Sequence, residues 1–380
     1  MKLGELCNIV SGGTPSRSNP GFWQNGTIPW IKIGNINGKY VNAADEFITN
    51  AGLDGSSAKI LPKGTILYTI FATLGEVGIL NIDACTNQAI AGIMIKDQTE
   101  VITDYLYYFL KSKKALVSNL GRGVAQNNIN MSILRNFEIP LPNISEQKKI
   151  VKTLDKVSSI IDSQRRELQA LDDLIKARFV EMFGDTILNP FGWDKELLGT
   201  VCDVRDGTHD SPQYYDTGFP LVTSKNITGG KIDLSNCSLI CESDYKKINE
   251  RSKVDIGDIL MPMIGTIGNP VIVDIEPRFA IKNVSLIKFK PASKVLNIYI
   301  RALLQSDYFD DAVLGKVRGG TQKFISLGDI RKLEILVPPV TLQNEFATFV
   351  AQIDKSKFAV QKALNQAQLL FDSLMQKYFG

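Results

Sequence analysis

The chain has 380 residues, enough for two domains with connecting elements, and its 44% hydrophobic and 22% charged content suits a protein that buries ordinary cores. No apolar run approaches the ~18 residues that a membrane span requires, and a net charge of +3 permits nucleic-acid binding without arguing for it. Five cysteines without a CxxC pair and a single histidine exclude a zinc site and predict reduced thiols in a cytoplasmic protein. The opening Met1-Lys2-Leu3-Gly4-Glu5 lacks an apolar export segment, which points the same way.

Taken in order, the elements occur twice. Leu3-Gly4-Glu5-Leu6-Cys7 matches Leu198-Gly199-Thr200-Val201-Cys202, which predicts that Cys7 and Cys202 are small buried residues. The strand and turn from Ile28 to Ile36 match Phe219 to Ile227, Lys63-Gly64-Thr65-Ile66-Leu67 matches Ile256-Gly257-Asp258-Ile259-Leu260, and Thr73-Leu74-Gly75 matches Thr266-Ile267-Gly268. Apolar strands are expected at Val77–Ile82 and Val271–Ile275, and a buried strand at Ala89–Ile95. Tyr105–Ser112 and Tyr299–Ser306 read as helices, Arg122 to Gln126 and Arg318 to Gln322 as glycine-rich loops, and Phe137–Leu141 and Leu333–Val337 as strands. The identities are mostly glycine, proline or aliphatic, the residues that set turns and cores. Side chains at the loop tips differ.

Each half ends in a long helix. Ile150, Leu154, Val157, Ile161, Gln164, Leu168, Leu171, Ile175, Arg178 and Met182 advance in alternating steps of four and three. Phe346, Val350, Ile353, Lys357, Val360, Leu364, Ala367, Phe371, Leu374 and Tyr378 do the same, each 196 residues after its counterpart. A mean step of 3.5 keeps one seam turned toward a partner helix, the coiled-coil pattern. Upstream prolines and Ser145 or Thr341 as N-caps mark the starts, and Phe183-Gly184 and Phe379-Gly380 the ends. Gln164, Arg178 and Lys357 interrupt the seam, where isolated polar residues fix register at some cost in stability. A parallel pairing would bring both domains to one end. The antiparallel one gives a closed body and is the one expected. The fold class is therefore α+β: two similar globular domains of small twisted β-sheets with helices, joined by two long helices in an antiparallel coiled coil with pseudo-twofold symmetry.

The ordered set, occurring twice, resembles the specificity subunit of type I restriction–modification systems. The residues that carry it are Leu3-Gly4 and Leu198-Gly199, the turns at Gly64 and Gly257, the loops at 121–128 and 318–324, and the helix starts at Gln147 and Gln343. The resemblance implies target recognition domains at 1–142 and 189–339 and spacer helices at 143–188 and 340–380. It also implies that each domain reads one half of a split double-stranded DNA target while the helices fix the gap. The implied partners are two modification (methyltransferase) subunits and, in the full complex, two restriction subunits. The outer helix faces, with Lys148, Lys149, Arg165, Arg166 and Glu167, would stay open to them. One departure is the lead-in Asn189-Pro190-Phe191-Gly192-Trp193, which has no counterpart before the first half.

Reactive machinery is missing from the sequence. There is no GxxxxGK[ST] phosphate loop, Asn189-Pro190-Phe191 reads as a turn, and Glu242-Ser243-Asp244-Tyr245-Lys246 as solvated surface. His209 faces Gly13-Thr14 in the first half, so it is no base common to both domains. No cofactor, metal or catalytic role is expected. Reading DNA needs phosphate contacts and side chains that hydrogen-bond base edges, Arg to guanine and Asn or Gln to adenine. The candidates are Arg122, Gln126, Asn127 and Asn128 with Arg318, Gln322 and Lys323, then Lys32 and Asn35 with Lys225 and Asn226, and Thr14 and Arg17 with Thr208 and His209. The competing reading is a two-headed coiled-coil binding or regulatory protein without restriction partners.

Overall fold

The apolar segments between the glycine turns pair into sheets of the same order in both halves of the chain. The computed structural model describes residues 1–117, 129–264, 267–312 and 324–380. It divides into one unit of Met1–Arg165 with Lys362–Gly380 and a second of Arg166–Gln361.

In the first unit a five-stranded sheet runs, in spatial order, Cys7–Ser11, Ile90–Ile95, Ile66–Thr69, Val77–Leu80 and Tyr40–Val41, antiparallel except for the last pair. In the second, Asp203–Asp206, Val284–Lys288, Ile259–Pro262 and Val271–Ile272 take the matching places. Each unit adds a three-stranded sheet, centred on Ile28–Ile31 and on Phe219–Val222, with one antiparallel and one parallel neighbour. The registers agree: Trp30 lies opposite Cys85 as Leu221 lies opposite Ala280.

Ile66–Thr69 and Ile259–Pro262 are buried at every residue, because a helix covers one face of each sheet and a second apolar cluster, reaching Ile31 or Val222 of the small sheet, covers the other. Those helices, Thr103–Ser112 and Asn297–Leu303, bury Tyr105, Phe109 and Leu110, and Tyr299, Ile300 and Leu303. The turns into the buried strands pass through Gly64 at φ +90° and Gly257 at φ +91°, a region that side-chain-bearing residues avoid. One expected strand pair differs between the units. Glu334–Val337 pairs antiparallel with Asp194–Leu197, whereas Glu138 makes only an isolated bridge to Lys2. The Lys2–Glu138 bridge takes the place of the Leu197–Glu334 pair that opens this ladder in the second unit.

The long helices span Ile144–Phe183 and Val340–Phe379, 40 residues each, or about 60 Å at 1.5 Å per residue. Every seam position read from the heptads is buried or half-buried. Within the first unit, Ile150, Leu154, Val157 and Ile161 share one core with Leu364, Ala367, Phe371, Met375 and Phe379. Within the second, Ile175, Phe179, Met182 and Phe183 share a core with Leu342, Phe346 and Val350. Early turns of one helix meet late turns of the other in both cases, so the pairing is antiparallel. Lys357 reaches Asp172 at 2.5 Å, which gives one polar seam residue a partner on the facing helix.

The start of the first helix differs from expectation. Ser145 lies inside the first turn, and Asn143 is the cap, its carboxamide oxygen accepting from the Glu146 amide at 3.0 Å. Thr341 likewise lies inside, because the second helix begins at Val340.

Cys7, Cys85 and Cys202 are buried, and Cys237 and Cys241 are half-exposed. Burial pushes the thiols of Cys7 and Cys202 up to about 12 and that of Cys85 to about 11. Iodoacetamide at pH 8 is accordingly expected to label Cys241 first, with Cys7, Cys85 and Cys202 reacting only after denaturation. Peptide mapping by mass spectrometry checks this order, and early labelling of Cys7 or Cys202 would contradict the packing.

Candidate nucleic-acid interface

Both candidate loops leave the sheet through a glycine that admits no side chain. A Cβ at Gly12 would meet the Asn87 carbonyl oxygen at 2.1 Å, and one at Gly207 the Ile281 carbonyl oxygen at 2.2 Å. These close approaches seat the segments after Ser11 and Asp206 against the parallel edge of the small sheet.

In the first unit the four described candidates form one patch. The buried Trp30 indole donates to the Gly13 carbonyl at 2.9 Å. The Thr14 hydroxyl donates to Gln88. Arg17 lies 3.7 Å from the centre of the Trp23 ring and 5.0 Å from that of Trp30. It also pairs with Glu46 at 2.6 Å, and Lys32 holds the other oxygen of the same carboxylate. Lys32 and then Arg17 hold Glu46 below the usual carboxylate range. Asn35 accepts from the Lys32 amide at 2.8 Å and donates to Asp45 at 2.8 Å. Arg17 is thus a planar guanidinium, stacked and held on one side, with half its surface exposed. Lys39, next along this segment, is anchored to Asp104 and Asp155 at 2.7 and 2.6 Å, which ties the patch to the first long helix.

The second unit is organised differently. Thr208 bridges to Lys282, and its hydroxyl accepts from the Asp210 amide at 3.1 Å. His209 is exposed and lies between Asn283 and Asp206. Asn283 takes φ +52°, a backbone state that asparagine tolerates better than most residues and that here accompanies its contact with the imidazole. Lys225 is exposed, but Asn226 is buried, its carboxamide closed on Thr223 and on the Asp233 carbonyl. Asn226 therefore builds its own turn. Beside Asp206 a surface cleft of about 500 Å³ is lined by Asp203, Arg205, Asp206, Arg251, Leu327 and Arg331.

Arg122, Gln126, Asn127, Asn128, Arg318, Gln322 and Lys323 lie outside the described residues. Their flanks are equivalent: the Ile129 amide donates to the Ile70 carbonyl and the Ile325 amide to that of Met263, both at 3.0 Å. Sequence reading missed the acidic and amide partners Glu46, Asp45, Asp206 and Asn283. They stand up to 74 residues from the side chains they hold, and only the fold joins them.

A family model described as the type I restriction modification DNA specificity domain matches residues 1–172 and 190–368. The MjaIX type I restriction enzyme specificity subunit of Methanocaldococcus jannaschii is 27% identical, covering 99% of this chain and 91% of that protein. The EcoKI specificity subunit of Escherichia coli K12 is 22% identical over 92% of this chain and 80% of that protein. The solved S subunit of a type I system from M. genitalium shares the fold with a TM-score of 0.54 at 17% identity, covering 100% of this chain and 95% of that one. Two matched copies of one domain, filling most of the sequence and set on the same scaffold, decide the assignment: the chain belongs to the family of type I restriction–modification DNA specificity domains.

Proposed function

We propose that this chain is the sequence-reading subunit of a type I restriction–modification complex, each unit reading one half of a bipartite DNA target. The observation that carries this reading is the repetition of one domain with conserved turns and cores but unlike polar loops. Arg17 stacked on Trp23 in the first unit has no equivalent among the described residues of the second, where His209 sits on Asp206. Like scaffolds with unlike tips suit two different half-sites. A regulatory coiled-coil protein is not favoured, since the family is defined by DNA specificity.

The division at 1–142, 143–188, 189–339 and 340–380 is the one we assign to recognition domains and spacers. Modification and restriction subunits supply the chemistry, two of each in the full complex, and the assembly works in the cytoplasm beside the chromosome. Among the described residues no helix is long and apolar enough to cross a membrane. The base-reading set comprises Arg17 and Lys32 with Thr14 and Asn35 in the first-unit patch, Thr208 and Lys225 in the second unit, and Arg122, Gln126, Asn127, Asn128, Arg318, Gln322 and Lys323 in the paired loops.

Mapping methylated adenines in cells that carry the chain with its modification subunit tests the proposal. A split motif with a fixed gap is expected, and Gln126→Ala or Arg318→Ala should weaken binding by ~1–3 kcal/mol at one base position of one half only. A single uninterrupted motif, or unchanged methylation of every site variant, would refute the respective assignment.

A further inference from the structure

The imidazole of His209 has both nitrogens engaged. Nδ1 lies 2.8 Å from Asn283 Oδ1 and Nε2 lies 2.9 Å from Asp206 Oδ2. Both partners present oxygens, so both bonds form when the imidazole is protonated on each nitrogen, and that form carries a positive charge. The other oxygen of Asp206 accepts from the Arg251 guanidinium. Asp206 is only 10% exposed, whereas His209 and Arg251 are 61% and 66% exposed. Two cations thus share one buried carboxylate and leave a net positive charge facing solvent at the mouth of the cleft.

The neighbouring arginines brace this arrangement. Arg205 donates from Nε and NH2 to Asp203 at 3.0 and 2.6 Å and from NH1 to the Arg251 carbonyl at 2.9 Å. Arg331 donates twice to the Val204 carbonyl. The placement of His209 limits what it can do. Its N–H groups are committed to the protein, so it offers a ligand charge and ring surface but no free donor. That suits a phosphodiester, which is attracted by charge, and does not suit a base edge, which is told apart by hydrogen-bond pattern. Arg251, bonded through one terminal nitrogen, retains donors for the phosphate oxygens.

We propose that Asp206 gathers His209 and Arg251 into a contact for a backbone phosphate of duplex DNA, with Asn283 positioning the ring. This rests on the DNA-reading assignment above and changes the part given to His209, from base reading to sequence-independent affinity. The corresponding strand of the first unit ends in Ser11 instead of Asp206, so the contact belongs to the second unit alone.

The charged groups around the ring are Asp206 on its own strand, Arg251 on the helix Glu242–Ser252, Asp210 beside it in the loop, and Lys282 on the facing turn, whose ammonium is held by Ser211 at 2.6 Å. The hydrogen bonds to Asn283 and then Asp206 raise the His209 pKa above the usual histidine value, while its partial burial opposes them. The cation is therefore present below that raised pKa and lost as pH climbs through it. DNA affinity should fall over the same interval.

One histidine in the chain makes the test direct. The imidazole resonance of histidine-labelled full-length protein is titrated with pH, alone and with a duplex carrying the methylation target or a scrambled one. Both duplexes are expected to move the His209 midpoint upward. His209→Gln and Arg251→Gln should each weaken binding several-fold, equally on both duplexes, and lower the slope of log affinity against log salt by about one. If the duplexes bind and the midpoint stays in place, or if the loss is confined to one base position, the phosphate contact is wrong while DNA reading stands. If neither duplex binds, both proposals fall. The titration uses the unsubstituted protein, so a variant that folds poorly does not decide the matter.

Discussion

Phe183→Ala is expected to destabilise the second unit by about 3–5 kcal/mol, the range for emptying a packed aromatic site. Phe183 is 1% exposed and closes a ring cluster at the end of the first long helix. Its centroid lies 4.8 Å from that of Tyr299, 5.1 Å from Phe179 and 5.4 Å from Phe346, two of the three contacts edge-on. Edge-to-face pairs contribute roughly 0.5–1.5 kcal/mol each beyond the area they bury. The Phe183 carbonyl also accepts from the Trp193 indole at 3.0 Å, so the Trp193 resonance of fluorotryptophan-labelled protein, resolved from those of Trp23 and Trp30, reports on this helix end. Denaturant unfolding followed at Trp193 should shift accordingly, and hydrogen exchange should rise within Arg166–Gln361 while Met1–Arg165 keeps its protection. Phe379 plays the same part for Tyr105 in the first unit, at 5.2 Å. A loss below about 1 kcal/mol for Phe183→Ala would mean that the helix end is not integral to this core.

That cluster also marks what could and could not be read from residues alone. The heptad steps located the seam, and every seam position is at least half-buried. They did not predict Val151, Phe179, Met375 or Phe379, buried off the seam. These positions also serve the globular core: Phe179 meets Tyr299 there as well as Phe346 on the facing helix, and a one-dimensional period cannot distinguish two partners on adjacent faces. The paired turns were legible because Gly64 and Gly257 answer to local backbone needs, as were Cys7 and Cys202, which sit buried at matching places just after the short helices Leu3–Leu6 and Leu198–Val201. The cap was read two residues off at Ser145, because Asn143 and Ser145 are both competent and geometry alone chooses between them. At the candidate interface, Lys32, Arg17 and His209 were named by residue type, whereas the carboxylates and amide that hold them were not. Asn226 shows the converse: its match to Asn35 was visible, but its burial against Asp233 depends on a two-residue hairpin formed only in the second unit.

Gln147→Ala and Gln343→Ala should each cost about 3–5 kcal/mol, because each leaves three backbone groups buried and unpaired at ~1–3 kcal/mol apiece. Both glutamines are 0% exposed. Gln147 accepts from the Ile102 amide at 3.1 Å and donates to the carbonyls of Glu100 and Pro142 at 2.8 and 2.9 Å. Gln343 makes the same three bonds, to the Leu296 amide at 2.7 Å and to the carbonyls of Lys294 and Pro338 at 2.9 and 2.8 Å. One side chain in the first turn of each long helix therefore fastens both the proline turn before it and the segment entering the core helix. Gln147→Glu separates this role from simple packing, since it keeps the shape and replaces the amide donor with a carboxylate facing two carbonyls. Its charged form is disfavoured in the fold, so its folded pKa lies above the unfolded one. Stability should then be retained at pH 4, where the carboxyl is protonated and can donate once, and be lost as pH rises through the folded pKa. Urea midpoints at pH 4 and 8, each compared with wild type, read this out. A pH-independent penalty for Gln147→Glu, or alanine variants within about 1 kcal/mol of wild type, would show that the three hydrogen bonds are not what fixes the helix start.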